Sequence, residues 1–319
     1  MKRMLAKFVG VGLLALAGVP AAAAAQPEPA GMRLLTESEY RNSITDIFGS
    51  GIIVQGRFEP KRRVGGLLSA STAILSVTPA GFQAFSKMAD NIAVQIVDPK
   101  NRAKFISCKP KSVSAADDAC ASQVLGQFGR LLYRRPLAPD ELRSRVELAN
   151  KVAKSSNDFY SGLRYSLGTL LSSPQFLFRT EMAVPAADKD YTLDGYSRAS
   201  RLSFLMWDTT PDAELLRAAE SGELQTQPGL SKQVDRLMQS PRLETGMRAF
   251  FRDFLQLDTF ADVTKDVQIY QKYIPQMANS AEEESLRTAI DLTLRSNQDV
   301  RDLMTSQKTE IDRTLASIY

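Results

Sequence analysis

Apolar residues recur along this chain three or four positions apart, and no stretch of strand length shows clean alternation. The clearest helix start is Thr36, an N-cap residue with Glu39 three positions on, which predicts a capping box. Leu35 before the cap and Tyr40 after it fit a hydrophobic staple, and Tyr40, Ile44, Ile47 and Phe48 share one helical face. Gly49 and Gly51 are expected to stop this helix, and residues 50–76 read as irregular. Thr78-Pro79 opens a second helix whose core stripe is Phe82, Phe85, Met88, Ile92 and Ile96. Val124, Leu125, Phe128, Leu131 and Leu132 mark a third, ending at Arg134-Arg135-Pro136. Pro139 opens a fourth and Asp158 caps a fifth, with a short helix restarting at Ser173-Pro174.

Beyond a polar break at residues 184–189, Thr192 is the expected cap of a helix that runs through Tyr196, Leu202 and Leu205 to Trp207. Another runs from Thr210-Pro211-Asp212 to Gly222. Further helices are predicted over residues 233–239, 243–257 and 280–296, the last from a Ser280/Glu283 capping box, and the tail 300–319 also reads as helical. The expected fold class is all-α, an irregular multi-helix array with one disulfide. Its expected organisation is an N-terminal helical segment over 26–107, a disulfide loop and helical module over 108–183, and a C-terminal module over 190–319 that continues beyond the chain end.

The first residues break the helical-array pattern. Lys2, Arg3 and Lys7 precede a short apolar run over residues 8–19, and Ala21 to Ala25 offers a small-residue cleavage site. That arrangement predicts a secretory signal peptide over 1–25, too short to span a bilayer once mature, followed by a flexible lead at 26–31. Localisation is therefore expected to be periplasmic or extracellular, with no stable membrane span after cleavage. The leader takes three positive groups with it, so the formal charge of +4 falls to about +1, and nucleic acid is not an expected partner.

Composition then removes whole classes of chemistry. There is no histidine, which excludes Ser-His-Asp and Cys-His catalysis, His-containing zinc sites and a Cys-x-x-Cys-His haem attachment. The two cysteines, Cys108 and Cys120, are too few for a thiolate metal cage. In an oxidising compartment they read as a disulfide closing a small loop, contributing about 3 kcal/mol by the chain-entropy argument; two free thiols are the alternative. No catalytic, cofactor-binding or metal-binding residue can be named.

Five residues stand as anion or partner contacts. Arg62 and Arg63 sit in the Gly-rich basic stretch Lys61-Arg62-Arg63-Val64-Gly65-Gly66, read either as a solvated loop or as an anion-binding turn. Arg134 and Arg135 suit an acidic partner or a buried carboxylate, with a structural salt bridge at a helix end preferred. Trp207, the single tryptophan, is read as an inter-helix anchor before a sugar-stacking platform. Glu282, Glu283 and Glu284 are adjacent on a helix and point in different directions, so they read as a solvated helix start.

Several blocks together carry a resemblance. They are Leu35-Thr36-Glu37-Ser38-Glu39-Tyr40-Arg41-Asn42 with Asp46-Ile47-Phe48-Gly49, then Leu75-Ser76-Val77-Thr78-Pro79, Cys108 and Cys120, and Tyr133-Arg134-Arg135-Pro136-Leu137. Ser172-Ser173-Pro174-Gln175-Phe176-Leu177-Phe178-Arg179-Thr180-Glu181 follows, and the most specific block is Ala199-Ser200-Arg201-Leu202-Ser203-Phe204-Leu205-Met206-Trp207 with Pro211-Asp212. In this order they resemble the exported helical domains of unknown function that accompany planctomycete-type c-type cytochrome modules. The resemblance implies a non-catalytic scaffold or docking module in an electron-transfer setting, with an unknown protein or redox partner. It implies no cofactor for this chain, haem c belonging to a missing region or a partner protein. The alternative is a carboxylate-dependent hydrolase, or a binding module, acting on an extracellular polymer; nothing in the linear sequence selects its carboxylate pair.

Overall fold

The computed structural model describes residues 28–60, 62–74, 77–186, 190–266, 268–296 and 298–318. The expected signal peptide, Lys61, and the Leu75-Ser76 pair of the second block lie outside them. The described chain is mostly helical, with one small sheet and a Cys108–Cys120 disulfide.

It opens with strand β1 (Glu28–Leu34) and helices α1 (Glu37–Phe48), α2 (Leu68–Ser71), α3 (Pro79–Val97) and α4 (Arg102–Phe105). Next come α5 (Asp118–Tyr133), α6 (Pro139–Ser156), α7 (Phe159–Leu171) and α8 (Pro174–Leu177). Strands β2 (Phe178–Pro185) and β3 (Tyr191–Leu193) follow, then α9 (Gly195–Trp207), α10 (Ala213–Glu220), α11 (Gln227–Met238) and α12 (Leu243–Phe254). The chain finishes with α13 (Gln276–Ile290) and α14 (Arg313–Ala316).

The capping residues do what their chemistry requires. Thr36, Thr78, Asp117, Asp158, Asp194, Asp212 and Thr226 each accept a backbone N–H in the first turn of the helix they open. The apolar stripes of α1, α3, α5, α7 and α8 then close one large core around Tyr40, Phe48, Ile92, Phe128, Leu167 and Phe176. Helices α6 and α7 cross so closely that a Cβ on Gly162 would stand 2.2 Å from the Ala149 carbonyl. Phe204 of α9 reaches this core, while Ala199 and Trp207 of the same helix belong to a second cluster with α10 and α11. Helix α9 is therefore the joint between the two halves. A third cluster, around Phe251, Leu286 and Ile290, joins α12 to α13.

Several expectations need correction. Residues 28–34, expected to lie largely in a flexible lead, form β1, antiparallel to β2 with Leu34 opposite Phe178. Neither strand alternates, because β2 is half-buried along nearly its whole length and β1 carries a register irregularity between Pro29 and Gly31. Thr192 lies in β3 and accepts a hydrogen bond from Arg198; the cap of α9 is Asp194. Ser280 sits inside α13, which begins at Gln276, and its hydroxyl donates to Asp312 in place of a capping box. The tail is a short 3-10 turn at Val300–Met304 and the four residues of α14, with irregular backbone between. Among the described residues no helix is long and apolar enough to cross a membrane.

Candidate functional site

Helix α1 has two working faces. Tyr40, Ile44 and Phe48 enter the core, while Glu39, Asn42 and Asp46 succeed one another along a second face at spacings of three and four. The capping box fixes the first of these. Thr36 Oγ1 accepts the Glu39 N–H at 3.1 Å, and Glu39 Oε2 accepts the Thr36 N–H at 2.7 Å. The other Glu39 oxygen lies 3.2 Å from Arg179 Nη1. One turn on, Asn42 Nδ2 donates to both the carbonyl and Oδ2 of Asp208, each at 3.0 Å. Asp46 then accepts Thr209 Oγ1 at 2.7 Å and Arg242 Nη2 at 2.6 Å. Asn42 and Asp46, one turn apart on α1, thus hold the turn that ends α9, while Glu39 ties the start of α1 to β2.

That turn is built to be held. Asp208 adopts the left-handed conformation at φ 55°, which an aspartate tolerates better than most residues. Ser203 donates to the Thr209 carbonyl at 2.8 Å, and Thr210 to the Leu131 carbonyl at 3.3 Å. Trp207 is 3% exposed and donates Nε1 to the Leu237 carbonyl at 3.1 Å. Its ring faces the guanidinium groups of Arg236 and Arg242, at 5.6 and 5.1 Å. This arrangement anchors α9 to α11 and leaves little of the indole for a sugar. On the other side a Cβ on Gly246 would meet the Met206 carbonyl at 2.2 Å, so only glycine lets α12 approach here.

Asp208 is the chemically unusual member. Burial, followed by the nearby Glu39 charge, pushes its carboxyl up to about 7, against the Ser38 hydrogen bond and the charges of Arg179 and Arg252. Glu39 and Asp208 are 5% and 6% exposed. Two surface hollows, one along α3 at Gln83, Lys87 and Asp90 and one at Gly49, Lys104 and Phe105, are lined by neither. The two carboxyls converge without an opening to a polymer substrate, so this pair lends the hydrolase reading no support.

The sequence-predicted arginines take specific places. Arg134 ends α5 in the left-handed conformation, and its side chain is 3% exposed. It donates to the carbonyls of Leu132, Gln175, Phe176 and Phe178 at 3.1, 2.8, 3.3 and 2.6 Å. Its partners are therefore backbone oxygens, one in the last turn of α5 and three in and just after α8. Burial, then Arg179, pushes its pKa down to about 9, still high enough to keep it charged at neutral pH. Arg135 forms the helix-end salt bridge, with two 2.8 Å bonds to Glu141 at the start of α6. Arg134 and Arg179 both lie over the Phe204 ring, at 5.7 and 5.0 Å.

In the basic turn, Arg63 is paired within the chain. Arg63 donates to Asp253 Oδ1 at 2.8 Å and also pairs with Asp258. Asp253 additionally accepts the backbone N–H groups of Leu68 and Ser69, at 2.7 and 2.9 Å. Arg62 is exposed.

Sequence reasoning missed Asn42 and Asp208 as a pair, and with them the seam. The available signal was their membership of the recurring blocks: Asn42 closes the first, and Asp208 directly follows the last.

The architecture defined here is a helical module whose parts are locked by one polar seam. Three segments of the chain match family models, each described as a protein of unknown function: residues 33–98 match PSD3 (DUF1587), residues 120–181 match PSD5 (DUF1595), and residues 193–319 match PSD4 (DUF1592). The chain therefore carries three domains of unknown function in series. No curated protein and no solved structure matches it. Every segment contributes to the seam: Glu39, Asn42 and Asp46 from the first, Arg134 and Arg179 from the second, Trp207 to Thr210 and Arg242 from the third.

Proposed function

We propose that the chain is a non-catalytic helical scaffold or docking module of an exported protein that works beside a c-type cytochrome. The observation that carries the scaffold part is the seam itself. Its charged side chains, drawn from three separate segments, are committed to one another and to the backbone, which is how ionic groups serve a fixed architecture. The cytochrome setting and export rest on the leader-like start and the resemblance of the ordered blocks. The chain has no histidine and its cysteines are joined, so haem attachment falls to a partner protein or to a region outside this sequence.

The test is affinity purification of the tagged chain from the envelope and medium of its native host, followed by haem staining and mass spectrometry. A c-type cytochrome is expected to co-purify, and to be lost when Arg242 and Asp46 are exchanged for alanine together. Recovery of the chain from the cytoplasm alone would overturn export. Recovery from the envelope with no haem protein would overturn the redox setting.

A further inference from the structure

The seam holds a carboxyl group in a place where a charge is poorly served. Asp208 is 6% exposed, and the donors on its carboxyl are uncharged: Asn42 Nδ2 at 3.0 Å and the Ser38 hydroxyl. Among the described residues no lysine or arginine lies within salt-bridge distance of it. The groups that face it are mixed in sign. Helix α1 presents Glu39 and, beside Thr209, Asp46; strand β2 presents Arg179; helix α12 presents Arg252. Each arginine is engaged elsewhere: Arg179 by Glu39, Arg252 by Glu282, and Arg242 by Asp46. Arg134 is coupled to Arg179 and Glu39 and is not among the groups that act on Asp208. The cations that act on Asp208 are thus bonded to other carboxylates, Arg179 to Glu39 itself, and none bonds Asp208.

We propose that Asp208 is a proton-linked latch between α1 and the end of α9: the seam is tight while the carboxyl carries its proton and loosens when the proton leaves. Protonated, Asp208 still accepts from Asn42 and gains a donor of its own. Ionised, it is a second negative charge beside Glu39 in a space closed to water. The elevated pKa agrees with this geometry, because the acid is held as a neutral group until near neutrality. The inference does not depend on the cytochrome setting, since it concerns only how the first and third segments hold together.

Amide hydrogen exchange on the whole chain tests it, read at α1 and at residues 207–210 between pH 5.5 and 8.5 and corrected for intrinsic rates. Amides of the α6–α7 pair serve as an internal reference. Wild-type seam protection is expected to fall with rising pH by on the order of thirtyfold, most of it below about pH 7 with a levelling-off above, and the reference unchanged. Asp208→Asn, which stays neutral and keeps a side-chain oxygen facing Asn42, is expected to hold high protection at both ends. Glu39→Gln removes the neighbouring like charge and is expected to move the levelling-off to lower pH and shrink the total fall. A flat wild-type profile overturns the latch, even if Asp208→Asn does not fold. So does an Asp208→Asn profile that follows wild type, a Glu39→Gln levelling-off that does not move, or a loss of protection shared equally by α6 and α7.

Discussion

The guanidinium of Arg63 bonds the carboxylate of Asp253 at 2.8 Å across 190 positions of sequence. The same carboxylate receives the first N–H groups of α2, so a loop of the first segment is pinned to a helix of the third. Both side chains are largely shielded, which makes the pair stronger than a surface bridge. Arg63→Ala is expected to cost about 1–3 kcal/mol, and Asp253→Ala about as much. Urea unfolding of the two single variants and the double variant checks this. The double should cost clearly less than the two singles together; strict additivity would show that the residues do not share an interaction.

Arg134 is expected to be irreplaceable by lysine. Its planar fork reaches four carbonyls at once, including those of Gln175 and Phe178 that flank the end of α8. A lysine ammonium cannot span that set. Arg134→Lys should lose about 1–3 kcal/mol, and Arg134→Met more, because it also leaves buried carbonyls without donors. Thermal unfolding followed by circular dichroism gives the order, and a lysine variant as stable as wild type would contradict the fork.

Two glycines of α7 should respond in opposite directions. A Cβ at Gly162 would press on the Ala149 carbonyl at 2.2 Å and on the Ala153 Cβ at 2.9 Å, whereas one at Gly168 would meet nothing within 4 Å. Gly162→Ala is expected to destabilise by about 1–3 kcal/mol through overpacking. Gly168→Ala should stabilise by roughly 0.5–1 kcal/mol through helix propensity alone. Paired denaturant curves decide the matter, and equal shifts would mean that α6 and α7 do not cross at Gly162.

Asp212 carries a pH dependence of the ordinary sign. Burial opposes its ionisation, but Arg236 and the Leu215 N–H outweigh that and hold the carboxyl below the usual aspartate value of 3.8. Its contribution is then present above about pH 4 and lost as pH falls through the lower folded-state value. Asp212→Asn is expected to cost about 1 kcal/mol at pH 7 and almost nothing near pH 2. Melting curves at the two pH values measure it, and a cost that grew in acid would reverse the sign.

The helices of this protein were legible because their ends are written locally. Thr36 with Glu39, Thr78 with Pro79, and Asp158 each act within one turn, and a reader of the sequence sees the whole device. Thr192 misled because Asp194, two positions later, is the cap and Thr192 itself pairs in β3. The strands were illegible for a different reason. In β1 a Pro and a Gly interrupt any pattern, and its partner lies beyond α8. The seam was half legible: Glu39, Asp46, Arg134 and Arg179 stood out in recurring blocks, but their pairing joins parts of the chain that no spacing rule relates.

The pairing of β1 with β2 also has a consequence in time. A chain emerging from the ribosome or from a translocation channel delivers β1 before everything it binds, and β2 appears only after α1 to α8 have been made. Until then the edge of β1 has no partner strand, while α6 and α7, neighbours in sequence, can pair as soon as they are complete. Assembly is therefore expected to run from the middle of the chain outward, with the first described strand among the last to be placed. A helper that shields an extended segment would act on β1 during that interval and become dispensable once Leu34 has met Phe178.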